Sequence, residues 1–358
     1  MAVGRLLALV ALALPLPSHA TLVADQASFG LTAEQGLAQV NQTFWSTQAG
    51  WYRDNDGAGA PGATLWSAYP VLELYASTAI ADGTPANKQA VDAVFKQAEG
   101  YWDPTIEKTG GVSYLFGMRN TGVAYFDDAG WWGVSYLDAY RATGNTRWLT
   151  DAARALTYID RYGWDKVAGG MWWDTGKNYK TSEPLAAATL IAATLYRIQH
   201  KVAYLNLATK YLAWADAKTM VNGLYGRSAT DHTVMDYVEG MMISAHVELC
   251  AATKQQSWCD QSEALAQASS QQFPLFAAWL PETDVVYMRS LLDLYASDGN
   301  ADWYADVYLN GRRAITNGRD DNGFWSRAWS GGYDTPGALL NQAATLELFG
   351  WLAAASPP

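Results

Sequence analysis

The sequence predicts an all-α fold in which six helical hairpins close into a ring. Apolar residues recur with a period of about 3.6 in twelve segments, with Gly, Pro, Asn and Asp at the breaks between them. More apolar and less apolar segments alternate along the chain, and almost no strand pattern is present. One hairpin with its loop spans roughly 48–62 residues, so the chain is long enough for six of them.

The twelve predicted helices follow one another at short intervals. They cover residues 32–48, 65–80, 88–101, 128–142, 146–162, 183–200, 202–219, 235–253, 256–272, 283–297, 301–317 and 338–355. The even-numbered helices are the more apolar ones, which predicts that they form an inner ring. Gly144 and Gly299 follow two of them and suit a left-handed C-terminal cap. Because no Pro/Ser-rich linker or run of charge interrupts the hairpins, residues 21–358 are predicted to form one domain.

Residues 1–20 have the pattern of a secretory signal peptide. Arg5 precedes an apolar run from Leu6 to Leu16, and small residues at Ser18 and Ala20 suit cleavage after Ala20. The run is too short to span a bilayer, and no later segment is apolar for long enough to do so. We therefore expect a secreted or periplasmic monomer without a stable membrane anchor.

Two cysteines, Cys250 and Cys259, lie at the end of one predicted helix and the start of the next. In an oxidising compartment they can close a short loop worth about 2–3 kcal/mol; two buried free thiols are the alternative. No metal site or cofactor is expected, because His200, His232 and His246 have no ligand spacing with a cysteine.

The charge and the aromatic content of the chain limit the kinds of molecule that it is expected to bind. The net charge of −11 argues against nucleic acid as a partner. The 17 Trp and 21 Tyr residues are a large aromatic content. Because aromatic rings pack against sugars but also fill protein cores, this content supports a carbohydrate-binding function only weakly.

The most informative stretch is 125–132, which reads Tyr-Phe-Asp-Asp-Ala-Gly-Trp-Trp. Adjacent Cα atoms lie about 3.8 Å apart, so Asp127 and Asp128 can hold their carboxyl groups near the roughly 5–5.5 Å separation of retaining glycosidases. An Asp pair at a helix start also satisfies free backbone N–H groups and the helix dipole. From the pair alone, a catalytic role and a capping role are both open.

In a ring of hairpins, the loops that lead into the inner helices collect at one end and line a cleft. The Asp pair lies at one such helix entry. The other entries hold Trp66, residues 180–183, residues 236–239 and residues 282–284. Carboxylates and aromatic residues thus converge on one face, which favours the catalytic interpretation. Helix capping and core packing remain structural explanations for the same residue types.

These motifs resemble glycoside hydrolase family 76, the endo-α-1,6-mannanases. Residues 125–132 are similar to the family's Asp-Asp and Trp-Trp segment, and residues 139–145 continue the match. Residues 169–174 and 177–180 are similar to its Gly-Gly-Ile-Trp-Trp and Lys-Asn-x-x-Lys-Asn segments, and residues 340–344 to its last inner helix. The resemblance spans roughly residues 32–355.

The resemblance implies an (α/α)6 barrel and retaining cleavage of α-1,6-mannosidic bonds in mannan-type polysaccharides. It implies Asp127 as the nucleophile and Asp128 as the acid/base. The candidate substrate-binding residues are Tyr125, Trp131, Trp172, Trp173, Lys180, Asp236, Tyr237 and Glu239. For Tyr125, Trp172 and Trp173, stacking on a sugar and packing in the core are alternatives.

Two departures from the family pattern concern the substrate. Residues 237–240 read Tyr-Val-Glu-Gly where the family has Tyr-Asn-Gln-Gly, and Thr-Ser-Glu-Pro follows Lys180 instead of an Asn-rich run. We expect Glu239 to face the cleft and to affect specificity. Alternative functions are a transglycosylase, another six-hairpin glycosidase, and a carbohydrate-binding protein without activity.

Overall fold

A computed structural model describes residues 16–57, 59–117, 122–274, 280–321, 323–329, 331 and 337–358. The helices are α1 (His19–Phe44), α2 (Leu65–Ala81), α3 (Pro85–Ala98), α4 (Phe126–Thr143), α5 (Arg147–Tyr158), α6 (Ser182–Gln199), α7 (Val202–Lys218), α8 (Asp236–Thr253), α9 (Gln256–Gln272), α10 (Pro281–Asp298), α11 (Ala301–Asn317) and α12 (Leu339–Ala354). The strands are β1 (Trp45–Ser46), β2 (Trp51–Tyr52), β3 (Trp102–Asp103), β4 (Gly111–Val112), β5 (Met220–Val221) and β6 (Leu224–Tyr225). They pair as three short antiparallel hairpins, β1–β2, β3–β4 and β5–β6. The predicted all-α class is confirmed.

The even-numbered helices form a closed inner ring. Each packs against the next even-numbered helix, and α12 packs against α2 to complete the circle. The odd-numbered helices pack around the outside. The difference is plain in one hairpin, where α6 buries fourteen of its 18 residues and α7 buries four of its 17. The predicted assignment of inner and outer helices is therefore confirmed, and the molecule is an (α/α)6 barrel.

The first helix differs most from its prediction. It begins at His19 instead of residue 32 and ends at Phe44 instead of residue 48. The Ser18 side chain caps it by accepting a hydrogen bond from the Thr21 N–H, and the buried Leu22 and Phe29 extend its apolar face towards the N-terminus. At the other end, residue 45 leaves the helix for strand β1. The pairing of β1 with β2 ends the helix here, and helical periodicity alone does not predict this pairing.

Other helix ends agree with the sequence. Gly144 and Gly299 adopt φ values of 73° and 74° directly after α4 and α10, as left-handed caps require. The prediction for α5 is too long, because its last turn widens into a π-helical turn at Ile159–Gly163. Cys250 and Cys259 form a disulfide that joins the end of α8 to the start of α9, with Cα atoms 5.2 Å apart.

The signal-peptide prediction concerns residues that mostly lie outside the described part of the chain. Ala20, the predicted cleavage residue, lies in the first turn of α1. Export therefore stays a prediction. Among the helices that the structure describes, none has the length and apolar character needed to cross a membrane.

A cluster of charged side chains lies buried inside the inner ring. Arg289 of α10 binds Asp138 of α4 through two nitrogen–oxygen contacts of 2.5 and 2.7 Å, and Glu73 of α2 through one of 3.2 Å. Its guanidinium also lies 4.4 Å from the ring centroid of Trp351, whose indole N–H donates to Glu347 at 3.0 Å. Burial raises the pKa of Glu73 well above its ordinary value and that of Glu347 to about 8. The cluster thus ties four inner helices together around one arginine.

Candidate active site

A cavity of about 410 Å³ opens at the end of the barrel where the inner helices begin. Helix α4 contributes the largest share of its wall, through its first turns and the residue before them. Three other inner helices and two loops complete the wall. The lining residues are Trp66, Tyr125, Asp127, Asp128, Trp131, Trp173, Glu183, Arg227 and Tyr237.

Asp127 is held by two hydrogen bonds. Its Oδ1 accepts the Asp128 backbone N–H at 3.0 Å, and its Oδ2 accepts the indole N–H of Trp173 at 2.8 Å. Burial raises the pKa of Asp127 to about 6, and the two donors work against this rise by stabilising the carboxylate. Both oxygens are therefore oriented, and the group is prepared to carry negative charge.

Asp128 lies in a different environment. It is 7% exposed, and no hydrogen bond from the described residues reaches its carboxyl group. Burial, followed by the charge of Asp127, raises its pKa well above the ordinary value of an aspartate. A carboxyl group in such surroundings holds its proton at neutral pH.

The contrast between the two aspartates bears on the capping interpretation. Asp127 accepts one backbone N–H of α4, so it does help to satisfy the helix N-terminus. Asp128 accepts none, and its carboxyl group lines the cavity instead. Helix capping therefore does not explain the pair. One ionised and one protonated carboxyl at the same cavity wall can act as a nucleophile and a proton donor.

Aromatic rings form much of the remaining wall. Trp131 lies 5.4 Å from Trp66 and 5.9 Å from Tyr237 between ring centroids. Tyr125, which precedes the Asp pair in the sequence, lies 5.1 Å from Trp173 between ring centroids. Since each ring packs against another, the rings are fixed in place before a ligand enters. Such faces suit the C–H surfaces of sugar rings.

The structure brings six of the ten candidate site residues to the cavity. These are Tyr125, Asp127, Asp128, Trp131, Trp173 and Tyr237. The other four are not among its lining residues, and two of them form a separate cluster. Lys180 binds Asp165 at 2.5 Å and places its ammonium 4.7 Å from the ring centroid of Trp172. This cluster braces the loop between α5 and α6, so its contacts are structural.

Asp236 lies behind the cavity wall and is fully buried. Its Oδ1 accepts the Tyr237 backbone N–H at 2.8 Å, and its side chain lies against that of Asp284. Burial, together with the neighbouring Asp236, raises the pKa of Asp284 to about 11. Trp329 donates its indole N–H to Asp284 at 2.5 Å. These contacts fix the start of α8, and hence Tyr237.

The expectation that Glu239 faces the cleft is wrong. Glu239 is fully buried, and its Oε1 accepts the backbone N–H of Tyr225 in strand β6 at 2.7 Å. Burial raises its pKa well above its ordinary value. The first turn of α8 exposes Tyr237 to the cavity, whereas Glu239 turns towards the β5–β6 hairpin. Its role in the fold is to join that hairpin to the helix.

We predict that Glu239→Leu lowers the free energy of unfolding by about 1–3 kcal/mol, because it leaves the buried Tyr225 N–H without an acceptor. Glu239→Gln keeps an acceptor of the same size and should retain most of the stability. Urea unfolding of both variants measures the difference. A large change in specificity constant with unchanged stability in Glu239→Gln would restore the cleft assignment.

Three lining residues are absent from the candidate set. Trp66 and Glu183 occupy helix entries that the sequence places at the cleft, so position was their signal. Arg227 lies in the loop between β6 and α8, where no periodic pattern applies. In the sequence, the one feature that points to Arg227 is a basic side chain shortly before an inner helix.

Comparison with known proteins agrees with this architecture. The model of glycosyl hydrolase family 76 matches residues 41–290. Comparison with curated proteins gives no match.

Several solved structures share the fold at low sequence identity. A family 76 mannosidase from Bacteroides thetaiotaomicron VPI-5482 has a TM-score of 0.82 at 18% identity, covering 91% of this chain and 98% of that one. An α-mannanase of the same family from Bacteroides thetaiotaomicron has a TM-score of 0.77 at 20% identity, covering 94% and 96%.

A third structure is an inactive variant of an α-1,6-mannanase from Salegentibacter sp. HEL1_6 in complex with α-1,6-mannotriose. Its TM-score is 0.76 at 18% identity, covering 91% of this chain and 99% of that one. The family model covers well over half of the sequence, and the solved structures share the fold over 91–94% of this chain. This chain belongs to glycosyl hydrolase family 76.

Proposed function

We propose that this glycoside hydrolase cleaves α-1,6-mannosidic bonds in mannan-type polysaccharides with retention of anomeric configuration. The observation that carries the proposal is the pair of adjacent aspartates, one hydrogen-bonded as a carboxylate and the other buried as an acid, in an aromatic cavity. The solved Salegentibacter relative supports the α-1,6-mannan substrate and the catalytic role of the two aspartates. It is named an α-1,6-mannanase, and its inactive variant carries asparagine in place of two adjacent aspartates.

In the first step, the Asp127 carboxylate attacks the anomeric carbon of the bound sugar. The bond from that carbon to the glycosidic oxygen breaks, and the leaving oxygen takes the proton of Asp128. The hydrogen bond from Trp173 holds Asp127 Oδ2, so Trp173 orients the nucleophile. The product of this step is a glycosyl ester on Asp127 and an ionised Asp128.

In the second step, Asp128 acts as a base. It takes a proton from a water molecule whose oxygen attacks the same anomeric carbon, and the bond to Asp127 breaks. Asp127 returns as a carboxylate and Asp128 as an acid. Two inversions at one carbon give net retention.

The test is hydrolysis of a linkage-defined panel of mannans and other α-glycans, with the anomeric form of the first product followed by proton NMR. Release of reducing ends from linear α-1,6-mannan, with the α-anomer appearing first, supports the proposal. Cleavage confined to another linkage would reject the substrate, and first appearance of the β-anomer would reject the retaining mechanism. Binding of mannan oligosaccharides without turnover would favour a carbohydrate-binding protein.

The pKa of Asp127 predicts the acid limb of the pH profile. Asp127 must be ionised to attack, so kcat/KM should fall as the pH drops through about 6. Asp128 must be protonated, so activity should fall again as the pH rises through its raised pKa. Trp173→Phe removes a donor to the Asp127 carboxylate and should move the acid limb to higher pH. A profile measured on a short oligosaccharide with its acid limb near pH 4, unchanged in Trp173→Phe, would contradict this assignment.

A further inference from the structure

Glu183 and Arg227 form an ion pair in the wall of the cavity that holds the aspartates. The Arg227 Nε lies 3.1 Å from Glu183 Oε1. Glu183 lies at the start of α6, whereas Arg227 comes from the loop before α8. The reaction proposed above assigns neither residue a role, although both line the space that a substrate would fill.

The loop that carries Arg227 is fixed to the same helix as Glu183. Ser182 donates its backbone N–H to the Arg227 carbonyl at 2.7 Å, and its hydroxyl to the Gly226 carbonyl at 2.7 Å. The Arg227 N–H in turn donates to the Thr233 carbonyl at 2.8 Å. Both ends of the ion pair therefore belong to one connected unit, and the guanidinium is positioned before substrate binds.

Most of the hydrogen-bonding capacity of Arg227 remains available to a ligand. A guanidinium has five N–H donors, and among the described residues only Glu183 accepts one of them, from Nε. Its carbon lies 5.8 Å from the ring centroid of Tyr179, and its side chain is 37% exposed. Glu183 is 4% exposed and accepts from the Arg227 Nε, so it holds Arg227 in place. The terminal N–H groups are the part that can reach a substrate.

Charge decides which kind of ligand fits. Arg227 is already paired with Glu183, and its positive charge also lowers the pKa of Asp127 in the same cavity. An acidic ligand would meet the Asp127 carboxylate and a protein with a net charge of −11. Neutral hydroxyl groups accept hydrogen bonds from a guanidinium without this repulsion. The local charge therefore favours an uncharged sugar.

We propose that Arg227, positioned by Glu183, determines substrate specificity by donating from its terminal N–H groups to two neighbouring hydroxyl groups of the neutral sugar bound against Asp127. This proposal rests on the proposed glycosidase function and adds the group that recognises the sugar. Arg227 is the binding residue, and Glu183 is a positioning residue.

The test is isothermal titration with α-1,6-mannotetraose and its monodeoxy analogues, using protein that carries Asp128→Asn so that the ligand is not consumed. With Arg227 present, removal of either recognised hydroxyl should weaken binding about 10- to 100-fold. Arg227→Met should bind the parent oligosaccharide more weakly by a similar factor and should no longer discriminate against those analogues. Equal discrimination with and without Arg227 would overturn the proposal.

Two further variants separate recognition from structure. Glu183→Ala should raise KM with little change in melting temperature, and Glu183→Gln should restore binding because its amide oxygen can still accept from Nε. Arg161→Met is the matched control, since Arg161 is exposed and lies over Tyr162, outside the cavity lining. A loss of affinity in this control equal to that in Arg227→Met would overturn the assignment, as would tighter binding of a phosphorylated or carboxylated oligosaccharide through Arg227.

Failure of the proposed function gives a different result. If the wild-type enzyme cleaves another neutral glycan and leaves α-1,6-mannan intact, the mannanase proposal fails. The deoxy series is then made on the glycan that is cleaved. Loss of discrimination in Arg227→Met on that series supports the Arg227 proposal, and retained discrimination rejects it.

Discussion

Asp128→Asn should lower kcat on mannan about 10²- to 10⁴-fold, and Asp127→Asn should be at least as damaging. Asparagine has nearly the shape of aspartate but can neither attack as a carboxylate nor supply a carboxylic proton. Asp128→Asn should lose least on substrates with activated leaving groups, because these need little protonation. Asp127→Asn should be slow on every substrate, since no glycosyl ester can form. The measurement is steady-state and single-turnover kinetics on mannan oligosaccharides and an activated aryl glycoside.

Azide distinguishes the two roles. In Asp128→Ala, azide can attack the glycosyl ester on Asp127 and give the α-glycosyl azide, which is the product of two inversions. In Asp127→Ala, azide can replace the missing carboxylate and give the β-glycosyl azide after one inversion. Product anomers in the reverse pattern would exchange the nucleophile and acid/base assignments.

The control for these variants is Asp302→Asn. Asp302 also lies in the first turn of a helix, but this helix is α11 in the outer ring and the side chain is exposed. Its replacement should leave kcat/KM unchanged. Near wild-type activity in both cavity variants, on every substrate that the parent cleaves, would leave the Asp pair with a structural role only.

Much of the fold can be predicted from the sequence, because each inner helix is buried on nearly all sides, whereas each outer helix is buried along one stripe only. This difference in apolar content is a local property, and it separates α6 from α7 without any knowledge of contacts. Periodicity does not reveal the start of α1, because its first turns overlap the predicted leader and because Gly30, a residue type typical of breaks, lies inside the helix. Helix capping by Ser18 and burial of Phe29 become visible only with the packing partner, α12.

The candidate site was harder to predict at the level of single side chains. The predicted entries of α2, α4, α6 and α8 do lie at the cavity, whereas residues 282–284 are not among its lining residues. Within one entry, neighbouring residues of the same turn point in different directions. Tyr237 lines the cavity while Asp236 and Glu239 lie buried behind it. Arg227 depends on the path of a loop that is set by hydrogen bonds to Ser182 and Thr233. Contacts of this kind between distant residues produce no periodic pattern in the sequence, so they cannot be predicted from it.

A second large effect is expected in the buried charge cluster. Arg289→Leu should lower the free energy of unfolding by about 3–5 kcal/mol, because it leaves the buried Glu73 without its guanidinium partner and Asp138 with Arg141 alone, at 3.3 Å. Asp138 lies ten residues beyond Asp128 on α4, or about 15 Å along the helix axis. Activity of the folded fraction at low temperature should therefore stay close to that of the wild type.

The pH dependence of stability identifies the mechanism of this loss. Without Arg289, the buried Glu73 loses its guanidinium partner, so its pKa in the folded state, already raised well above its ordinary value by burial, rises further above its unfolded value. A group of this kind leaves stability intact below the unfolded pKa, near 4, and lowers it as the pH rises through the folded pKa. The deficit of Arg289→Leu should consequently be smaller at about pH 5 than at about pH 8. A cavity left by lost packing would give the same deficit at both.

Denaturant unfolding at the two pH values, with two companion variants, completes the test. Arg289→Leu combined with Glu73→Gln should recover part of the lost stability, because the carboxyl group that loses its guanidinium partner is then replaced by a neutral amide. Arg312→Leu is the matched control, since it removes a surface ion pair with Asp25 in which the arginine is 44% exposed. That change should cost at most about 1 kcal/mol. If Arg289→Leu is no more destabilising than Arg312→Leu, the cluster does not hold the inner ring together, and the barrel depends on apolar packing alone.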